Sequence, residues 1–341
     1  MRNRRGQGWN RREFLGGVTL GGTAGLLGLG SGRAAAEPPP ETTRIRLVHR
    51  TDALCNSPQY VAEGLLRAEG FTEVEYIKAP GGNPAEKALA SGEAHMTLQF
   101  AVALILRVEA GDPVVALAGG HAGCYELFGS ERVRAIRDLR GKAVAVPARS
   151  STPGLLLALM LAHVGLDPRK DVQWVERPAA EQVQLLAEGK IDAFLAFPPT
   201  SLELRAKKIG RVLLNTMMDR PWSQYLCCVL VGNRDFVAKH PAATKRAVRA
   251  ILKAADLCAV EPDRAARSLV DKGFTGNYDY ALQTMKEIPY GQWRQFDPED
   301  TIRFYALRLH EAGFIKSTPQ KIITQGTDWR FLNELKKELK G

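Results

Sequence analysis

The stretch KAVAVPARSSTPGLLLALMLAHVGLDPRKDVQWVE, residues 142–176, decides the fold class. KAVAVPA at its start and DVQWVE at its end have the short, β-branched composition of strands. Between them, a long apolar run with Pro153 at its front predicts a helix, because proline fits the first turn of a helix. A helix that joins two such strands brings them side by side as parallel neighbours in one sheet.

The same alternation of strand and helix extends in both directions. We predict further strands at 44–49, 73–79, 95–100, 113–120, 191–197, 211–216 and 225–233. Short connections and intervening helical segments indicate mostly parallel sheets covered by helices. From residue 234 onward the pattern is almost wholly helical. We therefore predict an α/β protein of two lobes, in which 144–226 forms a second lobe inserted between 37–143 and 227–341, and the late helices complete the first.

Length and composition are those of a soluble globular protein large enough for two domains. The chain has 341 residues, 45% of them hydrophobic and 25% charged. The formal net charge of +10 does not indicate nucleic acid, because residues 1–36 hold six arginines against one glutamate and supply five of these charges. The other basic residues are scattered without interleaved aromatic side chains. We expect no nucleic-acid partner.

Residues 1–36 have the order of features of an export signal. A basic start is followed by a glycine-rich apolar run and by AAAE, whose small residues suit cleavage near Ala36. Arg11 and Arg12, followed by EFL, look like a twin-arginine export motif, which is read as an address. Glycines interrupt the apolar run too often for a stable membrane span. We expect the twin-arginine export machinery as a partner and the mature protein in the periplasm.

A family resemblance is carried by DLRGKAVAVPARSSTPGLLLALMLAHVGLDPRKDVQWVERPAAEQVQLLAEGKIDAFLAFPP, residues 138–199. This segment resembles the second lobe of periplasmic solute-binding proteins of the nitrate/sulfonate/taurine ABC-transporter family. SPQYVAEGLLRAEGF (57–71) and NPAEKALASGEAHMTL (83–98) are similar to first-lobe segments of that family. The family shares its fold with thiamine-pyrimidine-synthesis-like proteins, and the resemblance extends over about residues 44–270.

The resemblance implies the type II periplasmic-binding-protein fold. In it, two lobes are joined by two hinge crossings, here near 141–144 and 224–229, and the ligand is held between the lobes. Such proteins do no chemistry; the ligand favours a closed form that docks on the membrane permease of an ABC importer. We expect a monomeric, non-enzymatic protein without a cofactor, which binds a sulfonate such as taurine, a nitrate-like anion or a flat, pyrimidine-like heterocycle.

Candidate ligand-binding residues follow the strands, because open α/β sheets bind ligands at the carboxyl edges of their strands. In the first lobe they are Ser57, Tyr60, Gly82, Gln99, Phe100, His121 and Cys124. In the second lobe and the return crossing they are Ser150, Ser151, Thr152, Phe197, Trp222 and Tyr225. The three hydroxyls at 150–152 can cradle an anion at a helix N-terminus or simply cap the helix. Arg149 beside them can pair with an anionic group or face solvent.

His121 and Cys124 lie three residues apart in GGHAGCYELFGS, residues 119–130. We interpret both as pocket lining, since a metal site needs three or four ligands and only Cys55 readily adds a third. Of Cys227 and Cys228 we expect only one to take part, because neighbours on a strand point to opposite faces. A disulfide is a further alternative, and a catalytic Cys–His pair lacks an orienting third group. We predict no metal ligand.

The cysteine count and the aromatic residues leave alternatives open. Five cysteines in an oxidising compartment leave at least one unpaired, or paired between molecules; Cys258 in an amphipathic helix is predicted to be core. Aromatic candidates favour an organic ligand, and the scarcity of arginine in the candidate loops weighs against a simple inorganic anion. The alternative functions are a pyrimidine-precursor-synthesis-like enzyme, a metal-binding protein on the same fold, and a sensory subunit that reports ligand to a membrane kinase.

Overall fold

The structure, a computed structural model, describes residues 37–50, 53–79 and 83–339. The predicted export signal at 1–36, with Arg11 and Arg12, lies outside the described residues, and so does the candidate Gly82. Within the described ranges, no helix combines the length and apolar character needed to cross a membrane.

The first sheet has five strands in the order β2-β1-β3-β10-β4. They are β1 (Arg44–Arg50), β2 (Glu73–Ala79), β3 (Met96–Phe100), β4 (Val114–Ala122) and β10 (Leu226–Asn233). β1 pairs in parallel with β2 along its whole length and with β3 at Leu47 and Met96. β10 runs antiparallel between β3 and β4. Every residue of β3, β4 and β10 is buried, as the predicted apolar runs require for a covered sheet.

The second sheet also has five strands, in the order β7-β6-β8-β5-β9. They are β5 (Glu126–Gly129), β6 (Ala143–Val146), β7 (Gln173–Glu176), β8 (Ala193–Ala196) and β9 (Arg211–Asn215). β6 lies parallel to β7 and β8, whereas β5 is antiparallel to β8 and β9. The α/β class and the mostly parallel sheets predicted from the sequence are confirmed.

In each sheet, the one antiparallel strand is the strand that arrives from the other sheet. β5 follows β4 after the first crossing at 123–125, and β10 follows β9 after the second crossing at 216–225. The predicted boundary at 143/144 and the predicted crossing near 141–144 are therefore wrong, because β5 already belongs to the second sheet. The predicted return crossing near 224–229 lies too late, since the second sheet ends at Asn215 and β10 begins at Leu226.

Helices cover both sheets. Those between the strands are α1 (Ser57–Val61), α2 (Glu63–Ala68), α3 (Asn83–Ala90), α4 (Ala101–Glu109), α5 (Thr152–His163), α6 (Ala179–Ala187) and α7 (Thr200–Lys207). After β10 come α8 (Arg234–Lys239), α9 (Pro241–Val260), α10 (Pro262–Asp271), α11 (Tyr278–Glu287), α12 (Pro298–Glu311), α13 (Pro319–Gly326) and α14 (Arg330–Glu338). Short 3₁₀ turns lie at Leu54–Asn56, Ile136–Leu139, Trp222–Gln224 and Tyr290–Arg294.

The late helices pack on the first sheet and its helices. α9 lies against α1 and α2, while α12 and α13 lie against α4. A mostly buried ion pair connects α9 to the end of α2. The Arg249 guanidinium lies 2.7 Å from the Glu69 carboxylate, and both side chains are mostly covered. We call the first sheet with α1–α4 and α8–α14 the first lobe, and the second sheet with α5–α7 the second lobe.

Candidate functional site

The two crossings between the lobes are held against each other by Thr216. Its Oγ1 accepts hydrogen bonds from the backbone N–H groups of Cys124 (3.2 Å) and Tyr125 (3.0 Å) and donates to the carbonyl of Tyr125 (2.8 Å). Gly123 has a φ of +52°, and a Cβ atom there would lie 2.6 Å from Cα of Met217. The sequence therefore needs glycine at 123 for the two crossings to approach this closely.

A small cavity lies beside these crossings, between the two lobes. Its lining residues come from the loop after β1, the ends of β3 and β8, the first crossing and the start of β10: Arg50, Ala53, Cys55, Asn56, Phe100, Cys124, Tyr125, Phe197 and Cys228. The cavity volume of about 10 Å³ is room for about one water molecule. The lobes are thus closed on each other, with side chains from both at one point.

The loop after β1 forms one wall and is fixed by hydrogen bonds in several directions. The N–H of Leu54 donates to the carbonyl of Pro198 in the second lobe (3.2 Å). The Asn56 side-chain amide donates to the carbonyl of Leu98 (2.8 Å), so that this turn is tied to β3. Ser57, a candidate ligand residue, is fully buried and donates its hydroxyl to the carbonyl of Leu54 (2.5 Å). Ser57 therefore fixes the backbone of this wall and does not itself line the cavity.

A larger open recess of about 390 Å³ adjoins the cavity, and Arg50 and Ala53 line both. Its other walls are His49, Leu54, Tyr60, Lys78, Gly273, Phe274, Thr275, Gly276 and, from the second lobe, Pro199. Tyr60 stacks on Phe274 with ring centroids 4.7 Å apart. Burial and the charge of Lys78 lower the pKa of His49. The recess thus combines an aromatic wall, two cationic side chains and a histidine with a lowered pKa, which suits an anionic or flat solute.

Four cysteines and one histidine meet under the cavity, and we call them the thiol–imidazole cluster: Cys55, His121, Cys124, Cys227 and Cys228. The sulfur atoms of Cys124 and Cys227 lie 2.9 Å apart, and those of Cys227 and Cys228 lie 3.9 Å apart. Hydrogen bonds from the neighbouring thiols hold the pKa of Cys228 well below its usual value. Burial alone lowers the pKa of His121, but the adjacent Cys228 charge outweighs it and raises that pKa.

Both neighbouring cysteines of β10 join this cluster, which corrects the prediction that only one can. Leu226 pairs with Ala122 and Cys228 pairs with His121, so that Cys227 is an extra residue in β10 opposite β4. Such a β-bulge breaks the alternation of side chains along a strand. The sulfur atoms of Cys227 and Cys228 can therefore lie on the same side.

The remaining first-lobe candidates lie near the cavity. Phe100 packs against Tyr125 (5.3 Å between ring centroids), and Tyr125 packs against Phe197 of the second lobe (5.1 Å). Gln99 is buried one residue before Phe100, and its Nε2 has no hydrogen-bond partner among the described residues. Phe100, Cys124 and Phe197 are the candidates that the structure brings together in one lining.

The candidate anion cradle at 150–152 lies apart from this lining. Ser151 is the N-cap of α5: its hydroxyl accepts a hydrogen bond from the N–H of Gly154 (3.3 Å) and donates to the carbonyl of Ala148 (2.5 Å). Ser150 is exposed and Thr152 is half-buried. Arg149, also exposed, places its guanidinium 5.7 Å from the ring centre of Trp174. Capping is thus the role that the contacts of Ser151 describe.

Trp222 and Tyr225, candidates at the return crossing, are not among the residues that line the cavity or the recess. Tyr225 stacks on Phe304 of α12 with ring centroids 3.9 Å apart. Trp222 is buried between His163, Phe304 and Tyr305. The late helix α12 packs against both rings, and no local pattern in the sequence indicates which rings it covers.

Sequence reasoning missed several lining residues: Arg50, Asn56, Tyr125, Lys78 and Phe274. Arg50 and Lys78 could have been found, because they stand at or next to the carboxyl ends of β1 and β2. Arg50 in the lining also weakens the argument against an inorganic anion that was based on the scarcity of arginine in the candidate loops. Phe274 follows α10, more than two hundred residues after β1, and only the packing of the late helices brings it to Tyr60.

The chain matches the NMT1-like family over residues 39–271, well over half of its length. Among curated proteins, it is 27% identical over 227 residues to the nitrate import ATP-binding protein NrtC of Synechocystis, a match that covers 59% of this chain and 33% of that protein. The chain thus spans about a third of the length of the curated relatives that it matches first.

Two solved structures show the same fold. One is the periplasmic nitrate-binding protein NrtA of Synechocystis, with a TM-score of 0.72 and 15% identity over 89% of this chain and 90% of that one. The other is the alkanesulfonate-binding protein SsuA of Xanthomonas axonopodis pv. citri bound to MOPS. It has a TM-score of 0.62 and 18% identity over 80% of this chain and 94% of that one.

Proposed function

The chain belongs to the NMT1-like family, and on that premise we propose that it is the extracytoplasmic solute-binding subunit of an ABC importer. It binds a small anionic or organic solute between its two lobes and delivers it to a membrane permease. The solute class is sulfonate-, taurine- or nitrate-like, or pyrimidine-like. The similar proteins are named for nitrate and alkanesulfonate, which supports the anionic part of this class.

The observation that carries this proposal is the recess between the lobes with its adjoining cavity. Arg50 lines both spaces and Lys78 lines the recess, so a negative group there meets two cations. The stacked rings of Tyr60 and Phe274 offer an apolar surface to the rest of an organic solute. Phe100 and Phe197 come from different lobes, so contacts to both exist only when the lobes are closed. Solute binding therefore stabilises the closed form.

We propose the same export route and lobe movement as the family resemblance implies. Residues 1–36 act as a twin-arginine signal that is cleaved near Ala36, and the mature protein works in the periplasm as a monomer. It binds its solute without changing it chemically. The second lobe, from Glu126 to Asn215, moves as one body about the crossings at 123–125 and 216–225.

The test is a ligand screen by thermal unfolding, followed by calorimetric titration of every hit. The panel contains nitrate, bicarbonate, taurine, longer alkanesulfonates and pyrimidines. A solute at a hundredfold excess over its Kd adds about 2.7 kcal/mol to the free energy of unfolding and raises Tm accordingly. A spectrum of the solute after incubation, unchanged from the start, agrees with binding without chemistry.

Two arginine variants connect a hit to the recess. Arg50→Gln removes a lining cation, and we expect the affinity for an anionic solute to fall at least about tenfold, as a lost charge-assisted hydrogen bond requires. Arg149→Gln removes an exposed arginine of the second lobe and serves as the matched control, with an affinity within about twofold of wild type. Equal losses in both variants, or no hit in the whole panel, would contradict the proposal.

A further inference from the structure

The thiol–imidazole cluster has the composition and spacing of a metal-binding site. A ring nitrogen of His121 and the sulfur atoms of Cys55 and Cys228 all lie within 4.8 Å of one another. The sulfur atoms of Cys124, Cys227 and Cys228 meet the same condition, so Cys228 belongs to both groups. All five side chains are at most 4% exposed.

Four separate segments of the chain build this cluster. Cys55 lies in the 3₁₀ turn after β1, His121 in β4, Cys124 in the first crossing, and the other two cysteines at the start of β10. The close approach of β10 to β4 depends on Gly120, where a Cβ atom would lie 2.9 Å from the carbonyl oxygen of Cys228. Because the bulge in β10 turns both of its cysteines inward, two groups of three potential ligands meet at Cys228.

An independent observation points to a ligand at His121. Its Nδ1 lies 3.0 Å from the carbonyl of Gly123 and 3.2 Å from that of Ala122, so Nδ1 carries a proton and donates to the backbone. Its Nε2 is buried and has no hydrogen-bond partner within the described residues. A metal-binding histidine commonly donates its other ring N–H to a backbone carbonyl in this way. Coordination would satisfy a buried nitrogen that otherwise stays without a partner.

We propose that the cluster binds one thiophilic d¹⁰ metal ion, Zn²⁺ or Cu⁺, through Cys55, Cys228 and Nε2 of His121, with Cys124 or Cys227 as a fourth ligand. Thiolates and imidazole favour these ions over the hard cations that prefer oxygen ligands. A zinc–sulfur bond of about 2.3 Å places the sulfur atoms of a tetrahedral site about 3.8 Å apart. Within each group of three, whose ligating atoms lie at most 4.8 Å apart, the sulfur atoms therefore need to approach by at most about 1 Å.

The metal ion would lie at the base of the interlobe cavity, because Cys55, Cys124 and Cys228 also line that cavity. Each ligating thiol and the imidazole give any proton on the ligating atom to solvent, and no electron is transferred. The inference goes beyond the proposed function, since the ion binds with or without a solute. It adds bonds between the loop after β1, β4 and the start of β10, at the base of the cleft.

The test uses the full chain, purified with a phosphine reductant and free of metal, and no anionic solute from the panel is present. Zn²⁺ is titrated in competition with a chromophoric chelator, Cu⁺ is titrated in the same way under anaerobic conditions, and the bound metal per chain is measured. We expect one ion per chain, and the ion that competes better identifies the preferred metal. Co²⁺ in place of Zn²⁺ should show thiolate-to-cobalt charge-transfer absorption.

Cysteine variants locate the site. Cys228→Ala removes the shared ligand and should weaken metal binding by at least about 100-fold, beyond what loss of an outer partner costs. Cys258→Ala, a buried cysteine of α9 outside the cluster, is the matched control and should keep wild-type affinity. If Cys228→Ala does not fold, Cys55→Ala replaces it, and the intensity of the cobalt band in the wild type still counts the thiolates.

Two results would overturn the inference. The first is reduced wild-type protein that retains five reactive thiols but binds less than about 0.1 ion per chain. The second is protein with only three reactive thiols after denaturation and no metal uptake after reduction, which assigns Cys124 and Cys227 to a disulfide instead. A negative ligand screen leaves both readouts unaffected, so failure of the proposed function is distinguishable from failure of the metal site.

Discussion

His95 shows how one buried side chain makes the stability of this protein depend on pH. Its Nδ1 accepts a hydrogen bond from the backbone N–H of Arg46 (3.2 Å), and its ring stacks on Phe236 with centroids 4.1 Å apart. An accepting Nδ1 and a covered ring both favour the neutral imidazole. Burial, and then the charges of Arg46, His240 and Arg44, lower the pKa of His95 to about 4, although Glu75 opposes them.

We predict that His95 destabilises the protein as the pH falls. Its pKa is about 6.5 in the unfolded chain and about 4 in the folded one, so the unfolded state binds more protons between these values. The stabilising contribution is complete above pH 6.5 and decreases progressively toward pH 4, by about 2 kcal/mol at pH 5. His95→Asn keeps an acceptor for Arg46 and removes the titration.

Denaturant unfolding at pH 8 and pH 5 measures this contribution. The difference between the two free energies of unfolding should shrink by about 2 kcal/mol in His95→Asn. His310→Asn, at an exposed histidine of α12, is the control and should leave the difference unchanged. Identical pH profiles for wild type and His95→Asn would show that His95 is not the responsible group.

At the scale of elements, the two crossings behave as one unit because a single threonine joins them. Thr216 is buried, and its hydroxyl serves two donors and one acceptor of the first crossing. Its own N–H also donates to the carbonyl of Tyr125 (2.9 Å). The segments that connect the lobes are therefore paired like a short piece of ladder, although neither is a strand there.

We predict that Thr216→Val loosens this connection. The valine fills the same volume but leaves the N–H groups of Cys124 and Tyr125 without an acceptor, at a cost of about 1–3 kcal/mol in the free energy of unfolding. Thr216→Ser retains the hydroxyl and should lose less than about half as much. Chemical denaturation of the three proteins measures the effect, and equal losses in both variants would contradict it.

Most elements of this fold can be read from the sequence, and β5 is the instructive exception. Long runs such as TPGLLLALMLAHVG identify α5, and β-branched alternation identifies β1. β5 has only four residues, one of them the charged Glu126, and no local pattern separates it from a loop. Glu126 is tolerated because its partners, Arg205 and the second sheet, come from distant parts of the chain. Because β5 was not predicted, the first crossing was expected near 141–144, whereas it lies at 123–125.

Site residues could be predicted only where they directly follow the carboxyl end of a strand. Residues at carboxyl ends of strands, such as Phe100 and Phe197, were found by that rule. Cys227 was excluded from the cluster by the ordinary alternation of a strand, and the bulge that overturns this depends on how β10 pairs with β4. Trp222 was predicted to contact the ligand. Its burial against α12 was not predictable, because it depends on long-range packing.

At the scale of the whole molecule, one arginine joins the lobes on the side of α7. Arg205 of α7 forms an ion pair with Glu287 of α11 in the first lobe, and its Nε lies 3.7 Å from the carboxylate of Glu126. Burial raises the pKa of Glu126, which has one carboxylate oxygen without a hydrogen bond in the described structure. The Arg205–Glu287 pair thus connects α7 of the second lobe to α11 of the first.

We predict that Arg205→Gln shifts the protein toward an open form. Loss of a half-buried ion pair worth about 1 kcal/mol lowers the ratio of closed to open protein about fivefold and weakens solute binding by up to the same factor. Lys207→Gln, which removes an exposed pair with Glu203 in the same helix, is the control and should have little effect. Without solute, small-angle scattering should show a larger radius of gyration for Arg205→Gln than for wild type. If the radius of gyration and the affinity are both unchanged, the Arg205–Glu287 ion pair does not hold the lobes together.

The adjacency of Tyr125 and Thr216 also bears on ancestry. Because these two residues are hydrogen-bonded neighbours, the segment 126–215 departs from the first lobe and returns to it at one place. A genetic insertion of this segment into a single loop of the first lobe is then sufficient to add the second lobe. The strands of the first sheet keep their order. Recombination can exchange this segment among relatives as one unit, so that the residues that the second lobe contributes to the cavity change while the first lobe is inherited unchanged.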